Sequence, residues 1–282
     1  MYTKTELREL LERHGVRLKK RLGQHYLIDS QMASRLVSTC QLGRDETIVE
    51  IGAGLGALTE LLATHASQVV AVEVDRVICR LLAARMDRFP NVQVVCQDIL
   101  TVDWLRYAGS KVVGTIPYHI TSPILVSLCE CSPPVPVAWL GMQREVANRL
   151  TARPGTKAYG RLTILVQYRF HPSLLVRIPR TVFFPVPQVD SAWVQLTARK
   201  TPVAALADER LFFDVVRAAF SQRRKMLLNS LVGLATRRLK KPQALEAIRA
   251  VGLPDAIRGE ELSLEAFAEL ANTVHQMTTS SL

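Results

Sequence analysis

The chain has 282 residues, 48% of them hydrophobic, which is enough apolar mass for one full α/β domain and a smaller one. Its 36 Lys and Arg against 25 Asp and Glu leave a formal net charge of +11, a field that suits a binder of polyanions, so nucleic acid is the expected partner. Five scattered cysteines, of which only Cys129 and Cys131 lie close together, suggest neither a disulfide framework nor a metal site, and no apolar run approaches a membrane span or a signal-peptide core, so a cytoplasmic, reducing compartment is expected.

From Met1 to Arg21 the spacing predicts an amphipathic helix that closes in Lys19, Lys20 and Arg21. Such a cluster is either a solvated helix end or a phosphate contact. Gly23 to Asp29, GQHYLID, puts a glycine, two polar side chains and an aromatic before a helix starting near Ser30, with Asp29 or Ser30 as N-cap. A segment of this kind can fold over a ligand as a lid. Thr47 to Thr59, TIVEIGAGLGALT, then reads as strand, tight turn and helix. Gly52, Gly54 and Gly56 allow the backbone to turn sharply and to approach a ligand. Glu50 stands at the C-terminal end of that strand, where open α/β sheets bind ligands. The β-branched run Gln68 to Val74 is a second strand, and Glu73 at its tip is placed to accept hydrogen bonds from a ribose diol. Val92 to Ile99 reads as a third strand ending in Gln97 and Asp98.

Two cofactors fit a unit of this design. Through Ala57 the loop also satisfies the looser dinucleotide pattern, so NAD(P) stays open on the glycines alone. The third carboxylate favours S-adenosylmethionine, because in the methyltransferase version of the fold an acid at the third strand tip binds the adenine amine. The fourth strand, Lys111 to Ile116, runs into Thr115, Ile116, Pro117 and Tyr118. Pro117 fixes φ and removes a donor, freeing the preceding carbonyls to point into a pocket, and Tyr118 offers a flat face for a base. The alternative is a tight turn with a core tyrosine.

Further on, strands are expected at Val135 to Met142, Leu174 to Ile178 and Ser191 to Thr197, with helices at Gln143 to Arg153 and Gly160 to Phe170. Phe183, Phe184, Pro185, Val186 and Pro187 form a stiff connection that presents an aromatic either to the core or to a flipped-out base. From about Lys200 helices dominate, at Asp208 to Ser221, Lys225 to Lys240, Pro242 to Val251 and Ser263 to Val274. Between Val215 and Lys241 lie Arg217, Arg223, Arg224, Lys225, Arg237, Arg238, Lys240 and Lys241 with no acid among them, an electrostatic footprint for RNA or DNA phosphate.

The stretches GQHYLID, EIGAGLGALT, QDI, IPYHITSPIL, MQREVANRL, KAYGRLTILVQY, FFPVPQVDS, AFSQRRKMLLNSL and GEELSLEAFAELAN, with Glu73 at its strand end, together resemble the bacterial small-subunit (16S) rRNA adenine dimethyltransferases, the KsgA/RsmA family. The resemblance spans nearly the whole chain. It implies an α/β Rossmann-like methyltransferase domain over residues 1–200, carrying the N-terminal basic helix and lid, and a small all-helical RNA-binding domain over 201–282. It implies methyl transfer from S-adenosylmethionine to the exocyclic amines of two adjacent adenosines near the 3′ end of small-subunit rRNA, a part in small-subunit biogenesis, and a monomer working without metal. Carried over by position, His25, Leu27 and Gly52 would contact the cofactor, Glu73 its ribose and Asp98 its adenine, while Tyr118 and Phe183, with Phe184 as the alternative, would sandwich the target base. Arg223, Arg224 and Lys225, with Lys19, Lys20 and Arg21, would bind RNA.

One position departs from the family. Its catalytic tetrad begins with Asn, and Thr115 stands there in this chain. An Asn carbonyl and the backbone carbonyl of the next residue, here Ile116, would accept hydrogen bonds from the target amine. Thr has one hydroxyl on a shorter, β-branched side chain. A ribosome-assembly factor that binds RNA but transfers methyl groups slowly or not at all is therefore the alternative reading.

Overall fold

The computed structural model describes residues 1–16, 18–19, 22–221, 225–234 and 239–279. Its contacts separate into two compact units, residues 1–147 with 171–198, and residues 148–170 with 199–282.

The first unit opens with α1 (Lys4–Arg13), started by a reciprocal cap between Thr3 and Glu6. The helix expected to reach Arg21 stops early. Gly15 has φ +63°, and the Gly15 and Val16 N–H groups donate back to the Glu12 and Leu11 carbonyls, a Schellman ending that only glycine enters without strain. Lys19 therefore lies beyond the helix, and Lys20 and Arg21 lie outside the described residues. Next come β1 (Tyr26–Leu27), α2 (Ser30–Thr39), whose N-cap is Asp29, and β2 (Thr47–Ile51). They are followed by α3 (Thr59–His65), β3 (Gln68–Glu73), α4 (Arg76–Met86) and β4 (Val92–Cys96). The rest of the unit is β5 (Lys111–Thr115), α5 (Thr121–Glu130), β6 (Val137–Gln143), most of α6 (Arg144–Leu150), β7 (Phe170–Ile178) beyond its first residue, β8 (Phe183–Phe184) and β9 (Ser191–Ala198).

Seven strands form one sheet in the order β4-β3-β2-β5-β6-β9-β7, with β2 to β6 parallel and β9 antiparallel to β6. The chain steps outward from β2 to β3 and β4, then returns to add β5 on the other side of β2. That reversal opens a crevice at the C-terminal strand ends, the topological switch point of an open α/β sheet. β2 and β3 are nearly continuous apolar runs because both faces are covered. Leu36, Val37 and Leu62 of the helices close on Ile48, Val69 and Val113, while Leu82 and Met86 of α4 pack with Ala53 and Ala71. Gly114 lets β5 reach β2, since a Cβ there would overlap the Ile51 carbonyl oxygen. The two residues of β1 pair with β8, Tyr26 opposite Phe184 and Leu27 opposite Phe183, which ties the N-terminal segment to the proline loop.

The second unit contains α7 (Arg161–Arg169), α8 (Glu209–Ser221), α9 (Leu227–Val232), α10 (Lys241–Ala250) and α11 (Leu264–Thr279). The boundary expected at residue 200 does not hold for residues 148–170. Ile164 and Tyr168 share a core with Phe212 and Phe267, Tyr159 donates to the Leu262 carbonyl at 2.8 Å, and Arg169 pairs with Glu209 at 2.6 Å. These partners are 40 or more residues away in sequence, out of reach of local periodicity. The helix expected from Lys225 to Lys240 is short as well. It ends at Val232, before Gly233.

One cysteine expectation is corrected. Cys79 of α4 and Cys96 of β4 are joined by a disulfide, and Cys40, Cys129 and Cys131 are free. Their separation of 17 residues matches no spacing signature; the packing of α4 on β4 brings them together.

Gly114→Ala should destabilise the protein by about 1 to 3 kcal/mol, because the new Cβ meets main chain that cannot rotate away. Urea unfolding checks this. An unshifted midpoint would show that β2 and β5 can part at that level.

Candidate active site

The crevice is lined by the glycine loop from Gly52 to Leu55, by Glu50, Glu73, Val74, Gln97, Asp98 and Thr115 at the strand tips, and by Leu22 to Ile28 on the N-terminal side. All of these residues belong to the first unit.

The three glycines have different tasks. Gly52 turns with φ +68° where the main chain passes the Thr115 carbonyl. At Gly54 a Cβ would press on the Tyr26 ring at 3.2 Å, and its N–H donates to Glu73 Oε2 at 3.0 Å. Gly56 is off the crevice. A side chain there would strike Met86 at 2.9 Å and Leu82 at 3.0 Å, so the expectation that it approaches a ligand gives way to a packing role against α4.

The carboxylates sit in unlike surroundings. Glu50 is 2% exposed and accepts a hydrogen bond from the Thr59 hydroxyl at 2.5 Å. Burial, with the neighbouring Glu73 charge adding to it, pushes its pKa up to about 8 against the Thr59 hydrogen bond. Glu73, 8% exposed, accepts from the Gly54 N–H and, at 2.8 Å, from the Asp75 N–H. Burial raises its pKa too, and these backbone donors oppose the rise. Asp98 is exposed and caps a short 3₁₀ turn, Ile99–Thr101, through the Leu100 N–H at 3.0 Å. The strand expected to run to Ile99 stops at Cys96 for that reason.

At the tip of β5, Thr115 pairs with Gly141, and the buried Ile116 donates its N–H to the Gly141 carbonyl at 2.9 Å. The Pro117 carbonyl accepts from the Ile120 N–H. Tyr118 is half-buried, with its hydroxyl 2.7 Å from Ser191 Oγ and its ring stacked on His25 at 5.9 Å. His25 Nδ1 lies 2.6 Å from the Pro185 carbonyl oxygen, which can only accept, so this nitrogen carries the proton. His25 thereby links the N-terminal segment, Tyr118 and the proline loop. Phe183 is 4% exposed and packs with Leu27 and Trp193 in the core. Phe184 turns toward α1, where Lys4 and Arg8 stand 5.9 and 5.2 Å from its ring. The ring against Tyr118 is thus that of His25, not one of the phenylalanines.

Of the basic residues expected on RNA, Lys19 forms an ion pair with Asp75 at 2.7 Å. Lys20, Arg21, Arg223 and Arg224 lie outside the described residues, as do Arg237 and Arg238; Lys225, Lys240 and Lys241 are exposed. Among the described residues, no cluster of three or more His, Cys, Asp or Glu is arranged to hold a metal, and no helix is long and apolar enough to cross a membrane.

A family model for the ribosomal RNA adenine dimethylases matches residues 15–274. The chain belongs to this family. Ribosomal RNA small subunit methyltransferase A of Geobacillus thermodenitrificans is 42% identical over 276 residues, 95% of this chain and 94% of that protein. The protein of the same name from Streptococcus gordonii is 41% identical over 95% of each chain. Among solved structures, 23S rRNA methyltransferase ErmE has a TM-score of 0.70 at 28% identity, covering 89% of this chain and all 100% of that one. A dimethyladenosine transferase from Plasmodium falciparum shares the fold, with a TM-score of 0.74 at 23% identity over 86% of this chain and 94% of its own.

For a dimethylase of this family the crevice suits S-adenosylmethionine. Gly52 and Gly54 line it with main chain, Glu73 and Asp98 offer acceptors at two strand tips, and the Tyr26 hydroxyl is buried without a partner. Sequence reasoning missed Val74, which is 48% exposed between Glu73 and Asp75 and gives the crevice an apolar side. An apolar residue flanked by two acids at a strand tip was the available signal.

Glu50 carries a pH prediction. Its folded pKa lies above the ordinary value of 4.5, so the stability it contributes is present below about 4.5 and is lost as pH rises through about 8. Glu50→Gln keeps an acceptor for Thr59 and removes the titration. Relative to wild type, the ligand-free variant should gain melting temperature between pH 5 and 9; a constant difference across that range would mean the carboxyl ionises normally.

Proposed function

We propose that this protein uses S-adenosylmethionine to dimethylate the exocyclic amines of two adjacent adenosines near the 3′ end of small-subunit rRNA, acting in small-subunit biogenesis as a cytoplasmic monomer. The observation that carries the reading is the convergence on one crevice of Glu73, Asp98 and Thr115 from the tips of β3, β4 and β5, around the turn at Gly52 and Gly54 that follows β2. The choice of ribosomal subunit rests on the relatives. Identity is 42% to a protein named for the small subunit and 28% to the 23S enzyme.

In this reading Glu73 binds the ribose diol, Asp98 the adenine amine, and Gly52 with Gly54 the amino acid portion, while Glu50 supports the loop from below and His25 and Leu27 cover the ligand. Bound S-adenosylmethionine supplies a methyl group made electrophilic by its sulfonium. The chain's own task is positioning. An adenine amine is a poor nucleophile because its lone pair is delocalised into the ring. The Thr115 hydroxyl and the Ile116 carbonyl would accept hydrogen bonds from the amine protons and hold its lone pair in line with the methyl, with Pro117 keeping the turn rigid. Tyr118 would stack on one face of the base, and Phe183 on the other once the β1–β8 cover moves. The basic run from Arg217 to Lys241 supplies the phosphate contacts.

Two experiments test this. Small subunits lacking the modification should accept labelled methyl groups, and Thr115→Asn should raise turnover at saturating cofactor by up to about 100-fold with little change in cofactor affinity, because the acceptor matters most as the amine loses conjugation. Equal rates would show that the hydroxyl suffices, whereas two inert proteins would refute the enzymatic reading. Neutralising Arg223, Arg224 and Lys225 together should weaken subunit binding and lower its log–log salt slope by roughly 0.7 to 0.9 for each phosphate that no longer meets a cation. An unaltered slope with a lower melting temperature would assign these residues to the fold instead.

A further inference from the structure

Asp75 sits one residue beyond the exposed Val74, and three groups meet on its buried carboxylate. Oδ1 accepts the Val77 N–H at 3.0 Å and caps α4. Oδ2 accepts from Lys19 Nζ at 2.7 Å and from Gln24 Nε2 at 3.2 Å. Its own N–H donates to Glu73 Oε1 at 2.8 Å, and the other oxygen of Glu73 holds the Gly54 N–H. The Lys19 N–H in turn donates to Gln24 Oε1 at 2.8 Å, so the two donors reach Asp75 as one braced pair.

Among the described residues, hydrogen bonds also fasten the N-terminal segment at its far side. There β1 pairs with β8, the Ile28 N–H donates to the Val182 carbonyl and His25 to the Pro185 carbonyl. On the side next to the glycine loop, Lys19 and Gln24 bond to Asp75, beside the apolar cluster that Leu18 and Tyr26 share with Leu55 and Ile78. Between these two anchors stands Tyr26, its ring against Gly54 and its hydroxyl buried without a partner.

We propose that Asp75 is a positioning residue: it latches the segment bearing Lys19 and Gln24 across the crevice while holding Glu73 toward the ribose, so that its charge governs how tightly the cofactor is kept rather than how fast the methyl moves. The inference rests on the crevice being the S-adenosylmethionine site. It also gives Lys19 a task other than meeting RNA phosphate.

Asp75→Asn is the discriminating variant, because Asn is itself a good N-cap and can still accept from Val77, and the residue-75 N–H to Glu73 is untouched. The change replaces the oxygen facing Lys19 and Gln24 with an amide NH2 that can only donate, so the ion pair and both of their bonds are lost while the cap remains. With full-length protein, S-adenosylmethionine affinity and the KM for it should weaken about tenfold, as for removal of a partly exposed charge-assisted hydrogen bond. Turnover at saturating cofactor and the melting temperature of the ligand-free protein should stay near wild type. Lys19→Ala should reproduce the weakening, and the double variant should be no worse than Asp75→Asn alone, since that change already breaks the ion pair. Wild-type affinity in Asp75→Asn would overturn the latch. So would additive effects, or a Lys19→Ala protein with normal cofactor affinity and a reduced salt slope for subunit binding, which would make Lys19 a phosphate contact. Failure of the wild type itself to bind S-adenosylmethionine is a different result, and it would remove the cofactor reading together with the latch.

Discussion

A carboxylate buried at the tip of a strand must have its charge answered, and Glu73 is answered by main chain: the N–H groups of Gly54 and Asp75. Burial alone drives such a group toward its neutral form, and each backbone donor pulls the other way. The two bonds join the loop after β2 to the junction between the end of β3 and the start of α4. Losing the carboxylate would leave both donors short of an acceptor, at about 1 to 3 kcal/mol for each one that stays buried. The turn is consequently shaped before any ligand arrives, which lowers the ordering cost of binding. Arg85 secures its outer side, donating to the Leu55 carbonyl at 3.0 Å while pairing with Glu60 of α3 at 2.6 Å.

The parts of this arrangement that were legible in the sequence are those encoded locally. Apolar runs ended by glycine or by an acid marked β2 and β3, and the acids at Glu50, Glu73 and Asp98 do reach one crevice because the tips of parallel strands lie side by side. The N-cap at Asp29 is a short-range event and was equally readable. What was not legible depends on long-range partners. Gly56 looks like its two neighbours in sequence, yet it faces Met86 and Leu82, about 26 to 30 residues on. Phe183 shares a proline-rich loop with Phe184, and only the pairing of β1 with β8 decides which ring enters the core. Residues 148–170 precede two strands of the sheet but bury their apolar side chains with α8 and α11.

Charge counting has the same weakness. A net charge of +11 predicts a polyanion partner without saying which cations are free to meet it. Several are already matched within the fold: Lys19 by Asp75, Arg85 by Glu60, and Arg217 of the basic run by Asp214 at 3.0 Å. Pairs of this kind contribute little to stability when they stay solvated, and they remove charge from the outward field. In the second unit Lys225, Lys240 and Lys241 are exposed, so its basic character reaches solvent without relying on Arg217.

The stack of His25 on Tyr118 bears on how a base enters. Aromatic pairs are worth about 0.5 to 1.5 kcal/mol beyond area burial, and a nucleobase on an aromatic side chain about 1 to 3 kcal/mol. An adenine that takes the Tyr118 face from His25 therefore exchanges one ring partner for another, with a net gain on the order of 1 kcal/mol. Such a gain is too small to extract a paired base, so the proposed reading leaves the energy for unstacking to phosphate contacts. Swinging His25 aside breaks the bond from its Nδ1–H to the Pro185 carbonyl, a net cost of about 0.5 to 1.5 kcal/mol. Displacing it would disturb the connection that follows Phe183, the ring proposed for the second face of the base. One hydrogen bond thus ties the ring stacked on Tyr118 to the loop that follows Phe183, so in the proposed clamp the two faces would be uncovered together.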